Sequence, residues 1–189
     1  MRITIILFAL FLLCIQAPIA LAEAYIQVPL PKGVSIELPK NFKVLSGNQR
    51  ITLKAYAEAV QRRVLPDGQT SALPFAANLY DDQGRTIAMV NVQYQPENKI
   101  TQADARMSPA QNADVVDEAV RSGISQAAAQ APWRVVRWGG TKAHTINGVM
   151  TYISRYWRTS AVRPVHFHVR LVRVFAGPRS FTLTASHMK

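Results

Sequence analysis

The sequence predicts an α+β domain in which an antiparallel sheet packs with two main helices. Three observations support this. After Trp133 apolar and polar residues alternate, as in "VHFHVRLVRVF", with the period of strands. Asn147-Gly148 lies between two such runs and is a two-residue hairpin signal. Two other segments, one beginning at Ser46 and one at Ser108, space their apolar residues by four, the period of helices.

The chain opens with a segment that lies outside this fold. Met1-Arg2 precedes an apolar run from Ile3 to Leu13, and Ala20-Leu21-Ala22 places small residues at the −3 and −1 positions of a cleavage site. That is the pattern of a secretory signal peptide over residues 1–22, too short in its apolar core for a comfortable membrane span. The expected mature chain is residues 23–189, a single domain long enough to bury a core. Cleavage also removes Cys14, the only cysteine, and with it any disulfide, thiol nucleophile or cysteine-bound metal. The expected localisation is the periplasm or the secreted fraction.

The elements then follow in order. "GVSIELPKNFKVL" supplies two short strands, Val34–Leu38 and Phe42–Leu45, broken by Pro39-Lys40-Asn41. A helix is expected from Ser46, which stands at capping-box spacing from Gln49, with Tyr56, Val60 and Val64 on one face. Phe75–Tyr80 and Thr86–Tyr94 form a hairpin around Asp81-Asp82-Gln83-Gly84. Those two aspartates fit a turn better than a calcium loop, which needs more oxygens at regular spacing.

"SPAQ" marks the second main helix: Ser108 as cap, Pro109 at the first position and Gln111 completing a capping box. Val116, Val120, Ile124 and Ala128 repeat along it, and Pro132 follows its end. Asp114, Asp117 and Glu118 complement the dipole near its start and have a structural role. Beyond it, Lys142–Ile146 and Val149–Arg158 flank the Asn147-Gly148 turn. Counting back without a bulge sets Trp138 opposite Trp157, read as a packing pair and not a carbohydrate platform.

In this order of elements, and in "IELPKNFKVL", the chain resembles the PsbP-like α/β/α sandwich superfamily over Val34 to His187. That superfamily includes an extrinsic subunit of photosystem II, a factor binding the GTPase Ran, and bacterial envelope proteins. The resemblance implies a non-enzymatic binding or accessory module. Similar proteins finish with a helix packed on the sheet after the last strand, whereas this sequence ends at His187-Met188-Lys189. With that covering helix absent, an exposed apolar patch is expected around Val172, Val174, Phe181 and Leu183, a driver of association.

Charge narrows the function. The net charge is +11, and Glu118 is the last acid, so eleven Lys and Arg follow it unopposed. Such asymmetry points to an anionic partner: an anionic envelope component or an acidic protein surface, with peripheral membrane contact open. No base-reading motif for sequence-specific nucleic acid is present. Nor is there a Gly-x-Ser-x-Gly elbow, a cysteine nucleophile or a glycine-rich phosphate loop, and no cofactor is expected. An enzyme of unrecognised type stays as a third alternative.

The last strands hold the candidate site residues. Arg155, Arg158, Arg163, Arg170, Arg173 and Arg179 are the candidate anion-binding residues. Alternation sets His166, His168, Arg170, Val172 and Val174 on one face. Pairing Phe175 with Ser180 matches Val174 to Phe181, Val172 to Leu183 and His168 to His187; a one-residue slip scatters these matches. His166, His168 and His187 then form the alternative, a histidine triad for zinc or copper in a periplasmic metal-binding protein. Against that alternative, Arg170 shares the face and no carboxylate supplies an outer shell.

Overall fold

The computed structural model describes residues 25–30, 34–51, 72–95, 100–160, 165–177 and 179–189. The expected signal segment lies outside them, as does the expected first main helix beyond Ile51. Residues 47–51 are helical, and the start carries the expected reciprocal cap: Ser46 N–H donates to Gln49 Oε1 at 2.8 Å and Gln49 N–H to Ser46 Oγ at 3.3 Å. Among the described residues no helix is long and apolar enough to cross a membrane.

Nine strands are described: β1 (Tyr25–Pro29), β2 (Ser35–Pro39), β3 (Lys43–Val44), β4 (Ala72–Tyr80), β5 (Thr86–Gln95), β6 (Trp133–Ile146), β7 (Val149–Ser160), β8 (His166–Ala176) and β9 (Arg179–Met188). Helices α1 (Gln102–Met107) and α2 (Pro109–Ala128) sit between β5 and β6. The main sheet is antiparallel, in the order β3-β4-β5-β9-β8-β7-β6, and β1-β2 form a separate hairpin. Antiparallel neighbours need only tight turns, and the sequence supplies them. Asn147 and Gly148 take φ of 49° and 75°, both in the left-handed region that a two-residue turn requires. At the β4–β5 turn, Asp81 accepts from the backbone N–H of Gln83 and Arg85 and pairs with the Arg85 guanidinium, so its oxygens serve the turn.

The expected register of the last hairpin is observed: Phe175 pairs with Ser180, Val174 with Phe181, Val172 with Leu183, and His168 with His187. The expected apolar patch is not. Val172, Val174, Phe181 and Leu183 are all buried, in one core cluster with Leu30, Ile36, Leu38 and Phe42. The β1–β2 hairpin supplies this cover. Ile26, Val28 and Leu30 alternate along β1 and its exit, and turn an apolar edge to the sheet.

The helices cover the opposite face, over β6 and β7. Ala105, Ala113 and Val116 pack with Tyr152 and Phe175, and Val120 joins from the side. Two polar anchors fix the docking. Gln102 exchanges hydrogen bonds with the Met150 backbone and donates to Phe175 O, and Tyr152 Oη donates to Ala105 O at 2.9 Å. The capping box expected at Ser108 is absent, because Ser108 is at once the last cap of α1 and the first of α2. Its side chain makes no cap hydrogen bond. The reciprocal box is one helix earlier, at Thr101 and Asp104.

Candidate functional site

One face of the sheet divides into rows of facing side chains running across β6, β7, β8 and β9. The first row is Arg137, Trp157, His168 and His187; the second is Gly140, Arg155, Arg170 and Ala185. The third is Lys142, Ile153, Val172 and Leu183; the fourth is His144, Thr151, Val174 and Phe181. The third and fourth rows end in the apolar cluster under the hairpin. The first and second are basic and aromatic, so the candidate site and the core share a face.

The first row is a stack. The Arg137 guanidinium lies 4.6 Å from the centre of the Trp157 ring, a cation–π contact. Trp157 stacks on His168 with centroids 4.8 Å apart and planes 13° from parallel, and His168 meets His187 edge to face at 5.3 Å. His168 Nδ1 and His187 Nε2 are 3.3 Å apart, and His187 Nδ1 is 3.2 Å from Met188 O. A carbonyl only accepts, so His187 Nδ1 carries a proton; when His187 is neutral its Nε2 accepts from His168 Nδ1, and when it is charged Nε2–H donates to His168 Nδ1. His168 Nε2 is left buried without a partner. Burial first, then the charges of Arg170, His187, Arg155 and Lys189, push the His168 pKa down to about 4. The ring is neutral at physiological pH.

Arg155 and Arg170 form the second row and stand directly opposite across β7 and β8. Both are half-buried, and Arg170 Nε is buried with no hydrogen-bond partner. Among the described residues neither has a carboxylate partner, whereas Arg85 is paired with Asp81. Like charges facing each other across strands are destabilising. The His144 pKa is lowered as well, by burial first and then by the charges of Arg155 and Lys142.

The other candidate arginines go elsewhere. Arg158 and Arg173 point to the opposite face, Arg158 over the rings of Trp133 and Phe167 at 5.3 Å and 5.5 Å. Arg173 sits beside Tyr152, and burial lowers its pKa. Arg179 is exposed at the β8–β9 turn, and Arg163 lies outside the described residues. The five described arginines therefore do not make one surface, and among them only Arg155 and Arg170 are direct cross-strand partners. Of the histidines, His168 and His187 touch, while His166 is exposed at the start of β8. Among the described residues no group of three His, Cys, Asp or Glu is placed to hold a metal ion.

Arg137 escaped the sequence reading as a site residue. The structure corrects the Trp138–Trp157 pairing: a bulge at Gly139-Gly140 sets Trp138 opposite Tyr156, stacked at 5.8 Å, and Arg137 opposite Trp157. Trp138 Nε1 then donates to both oxygens of Asp117, which gives that helix carboxylate its structural role. Gly140 has φ of 80°. At Gly139 a Cβ would stand 2.9 Å from Trp157 Cζ3 and 3.1 Å from Arg155 O, so glycine is what lets the ring lie beside β6. The Gly-Gly pair was the available signal, since paired glycines in a strand mark bulges and close approach.

The antiparallel sheet, with helices on one face and a hairpin on the other, is an α+β sandwich similar in fold to a solved PsbP structure. Its likeness among solved structures is to the solution structure of cyanobacterial PsbP (CyanoP) from Synechocystis sp. PCC 6803. The TM-score is 0.51 at 12% identity, over 81% of this chain and 73% of that one, a likeness of fold. A Pseudomonas aeruginosa protein of unknown function also matches, at TM-score 0.35 and 12% identity over 86% of this chain and 82% of that one. No family profile matches the chain, and no curated protein matches it at a significant level.

Proposed function

We propose that this chain is an exported, non-enzymatic binding protein of the bacterial envelope, and that the basic half-face of β6–β9 contacts an anionic partner. The observation behind this reading is the directly opposed Arg155–Arg170 pair, half-buried and with no carboxylate partner among the described residues. Folding such a pair together costs free energy that a purely structural sheet has no reason to retain. An anion between the guanidiniums reverses the sign, through charge-assisted hydrogen bonds that Arg forms in forked geometry. Arg137 and Lys142 lie at the β6 side of the same face and extend the positive potential. The Ala20-Leu21-Ala22 pattern supports export, and the anion-rich envelope supplies partners of the right sign.

The test is binding of the purified chain to anionic vesicles and to an anionic polymer over a range of salt. Screening shortens the reach of exposed charge to about 8 Å at physiological ionic strength, so retention should fall steeply as salt rises. Arg155→Gln with Arg170→Gln should abolish most of it, and Arg173→Gln, on the opposite face, should leave it. Retention that is indifferent to salt and to both arginines would overturn the reading. If that retention also disappeared with a chelator, the His168–His187 pair would take over as the site.

A further inference from the structure

We propose that Arg155 and Arg170 form a site for one compact tetrahedral dianion, the phosphoryl group of a phosphate monoester, held between the two guanidiniums. This rests on the reading of the face as anion-binding and names the ligand chemistry.

Charge is the first argument. Arginine side chains stay protonated in proteins, so the pair carries two permanent positive charges in one place. A single carboxylate balances one of them; a phosphate monoester near neutral pH carries close to two negative charges and balances both. Geometry is the second. Partners directly opposite in an antiparallel ladder have Cβ atoms roughly 5 Å apart, so both forks reach a common point above the sheet. Three terminal phosphoryl oxygens satisfy two forks at once through the terminal guanidinium nitrogens. Extent is the third. The rows on either side are not cationic on β7 and β8: Trp157 and His168 flank the pair on one side, Ile153 and Val172 on the other. The His168 ring that faces the pair is neutral. On this face the strongly charged part of β7 and β8 is thus one row wide. That width suits a single phosphoryl group better than an extended polyanion lying along the strands.

Calorimetric titration of the intact purified chain at low ionic strength tests the site, with inorganic phosphate, glycerol phosphate and acetate as probes. Phosphate and glycerol phosphate should bind saturably at one site, and acetate should bind about 10-fold or more weakly, the difference of one charge-assisted contact. Arg155→Gln and Arg170→Gln should each weaken phosphate by about 10-fold or more, and Arg155→Lys, which keeps the charge and loses the fork, should weaken it less. Misfolding does not explain such losses if the thermal midpoint is followed alongside. Removing one of two opposed charges should raise the midpoint of the ligand-free chain while erasing the rise that phosphate produces. Vesicles separate the sources. Phosphatidic acid, a monoester, should outcompete phosphatidylglycerol, a diester, if the group is a lipid headgroup. If glycerol phosphate binds as tightly as phosphatidic acid, the ligand is a soluble monoester. Equal binding of acetate and phosphate, or an equal loss with Arg173→Gln, would overturn the dianion site. Salt-sensitive retention on vesicles that needs both arginines, with no uptake of and no competition by phosphate, rejects this inference and keeps the broader reading. Indifference of retention and titration alike to both arginines rejects both.

Discussion

Val172 and Arg170 are two residues apart on β8 and point to the same side of the sheet, yet one is fully buried and the other half-exposed and charged. The third and fourth rows of that face have a lid, the β1–β2 hairpin, whose Leu30, Ile36 and Leu38 close over Val172, Val174 and Leu183. In the first and second rows arginines, histidines and Trp157 replace the aliphatic residues. A strand's alternation thus determines which side chains share a face, but not whether that face is core or surface. A separate element decides that, and here it comes from the far end of the chain.

The comparison breaks most severely if charge is moved into the covered half. Val172 has no exposed surface, and an aspartate there would be desolvated among Ile36, Leu38 and Phe181. Val172→Asp should cost roughly 4 kcal/mol or more, enough to unfold a domain of ordinary stability. Circular dichroism and urea titration would check it. A cooperative transition within about 1 kcal/mol of wild type would mean that the hairpin does not seal the face.

Gly139→Ala sharpens the other half. Its new methyl would crowd Trp157 Cζ3 and the Arg155 carbonyl, so the ring must move away from β6. Overpacking of this kind costs about 1–3 kcal/mol. The same shift should loosen the Arg137–Trp157–His168 stack, read as a change in tryptophan fluorescence and weaker phosphate binding. Unchanged fluorescence at wild-type stability would show that the bulge has room to absorb the methyl.

Much of this arrangement was legible in the sequence, for identifiable reasons. The β8–β9 register follows from a short turn and matched apolar pairs, Val174 with Phe181 and Val172 with Leu183, which admit one alignment. Opposite faces for Arg170 and Arg173 follow from alternation alone. What was not legible depends on backbone detail or distant contact. The bulge at Gly140 shifts every residue of β6 before it, so the tryptophan pairing was set one place off. "TQAD" has the same spacing as "SPAQ", but the choice between them turns on Ser108 being shared by two abutting helices. The hairpin cover was foreshadowed by Ile26, Val28 and Leu30 at alternate positions, too short and too broken by proline to stand out. The Arg155–Arg170 encounter needs the β7–β8 register, and the connection between those strands offers no two-residue turn from which to count.

The smallest expected effect concerns His168 and the acid side of stability. Its pKa in the folded chain is about 4, against an ordinary 6.5, because burial and the neighbouring cations disfavour the imidazolium. Between those two values the unfolded chain binds more protons at this position than the folded one. Stability therefore falls as pH drops through that window, and is flat on either side of it as far as this group is concerned. His144 is shifted the same way and adds to the slope. Asp81 and Asp104, whose folded pKa values are lowered from 3.8 by their hydrogen bonds, contribute stability that is lost only at more acidic pH, so the two windows separate. Urea midpoints measured at about pH 7 and about pH 5 should differ in wild type, and differ less in His168→Gln. His166→Gln, exposed on the same strand, should keep the wild-type difference. Equal wild-type midpoints at the two pH values would mean that His168 is not held neutral by this face. A difference that survives His168→Gln intact would assign it to His144 or to groups outside the stack.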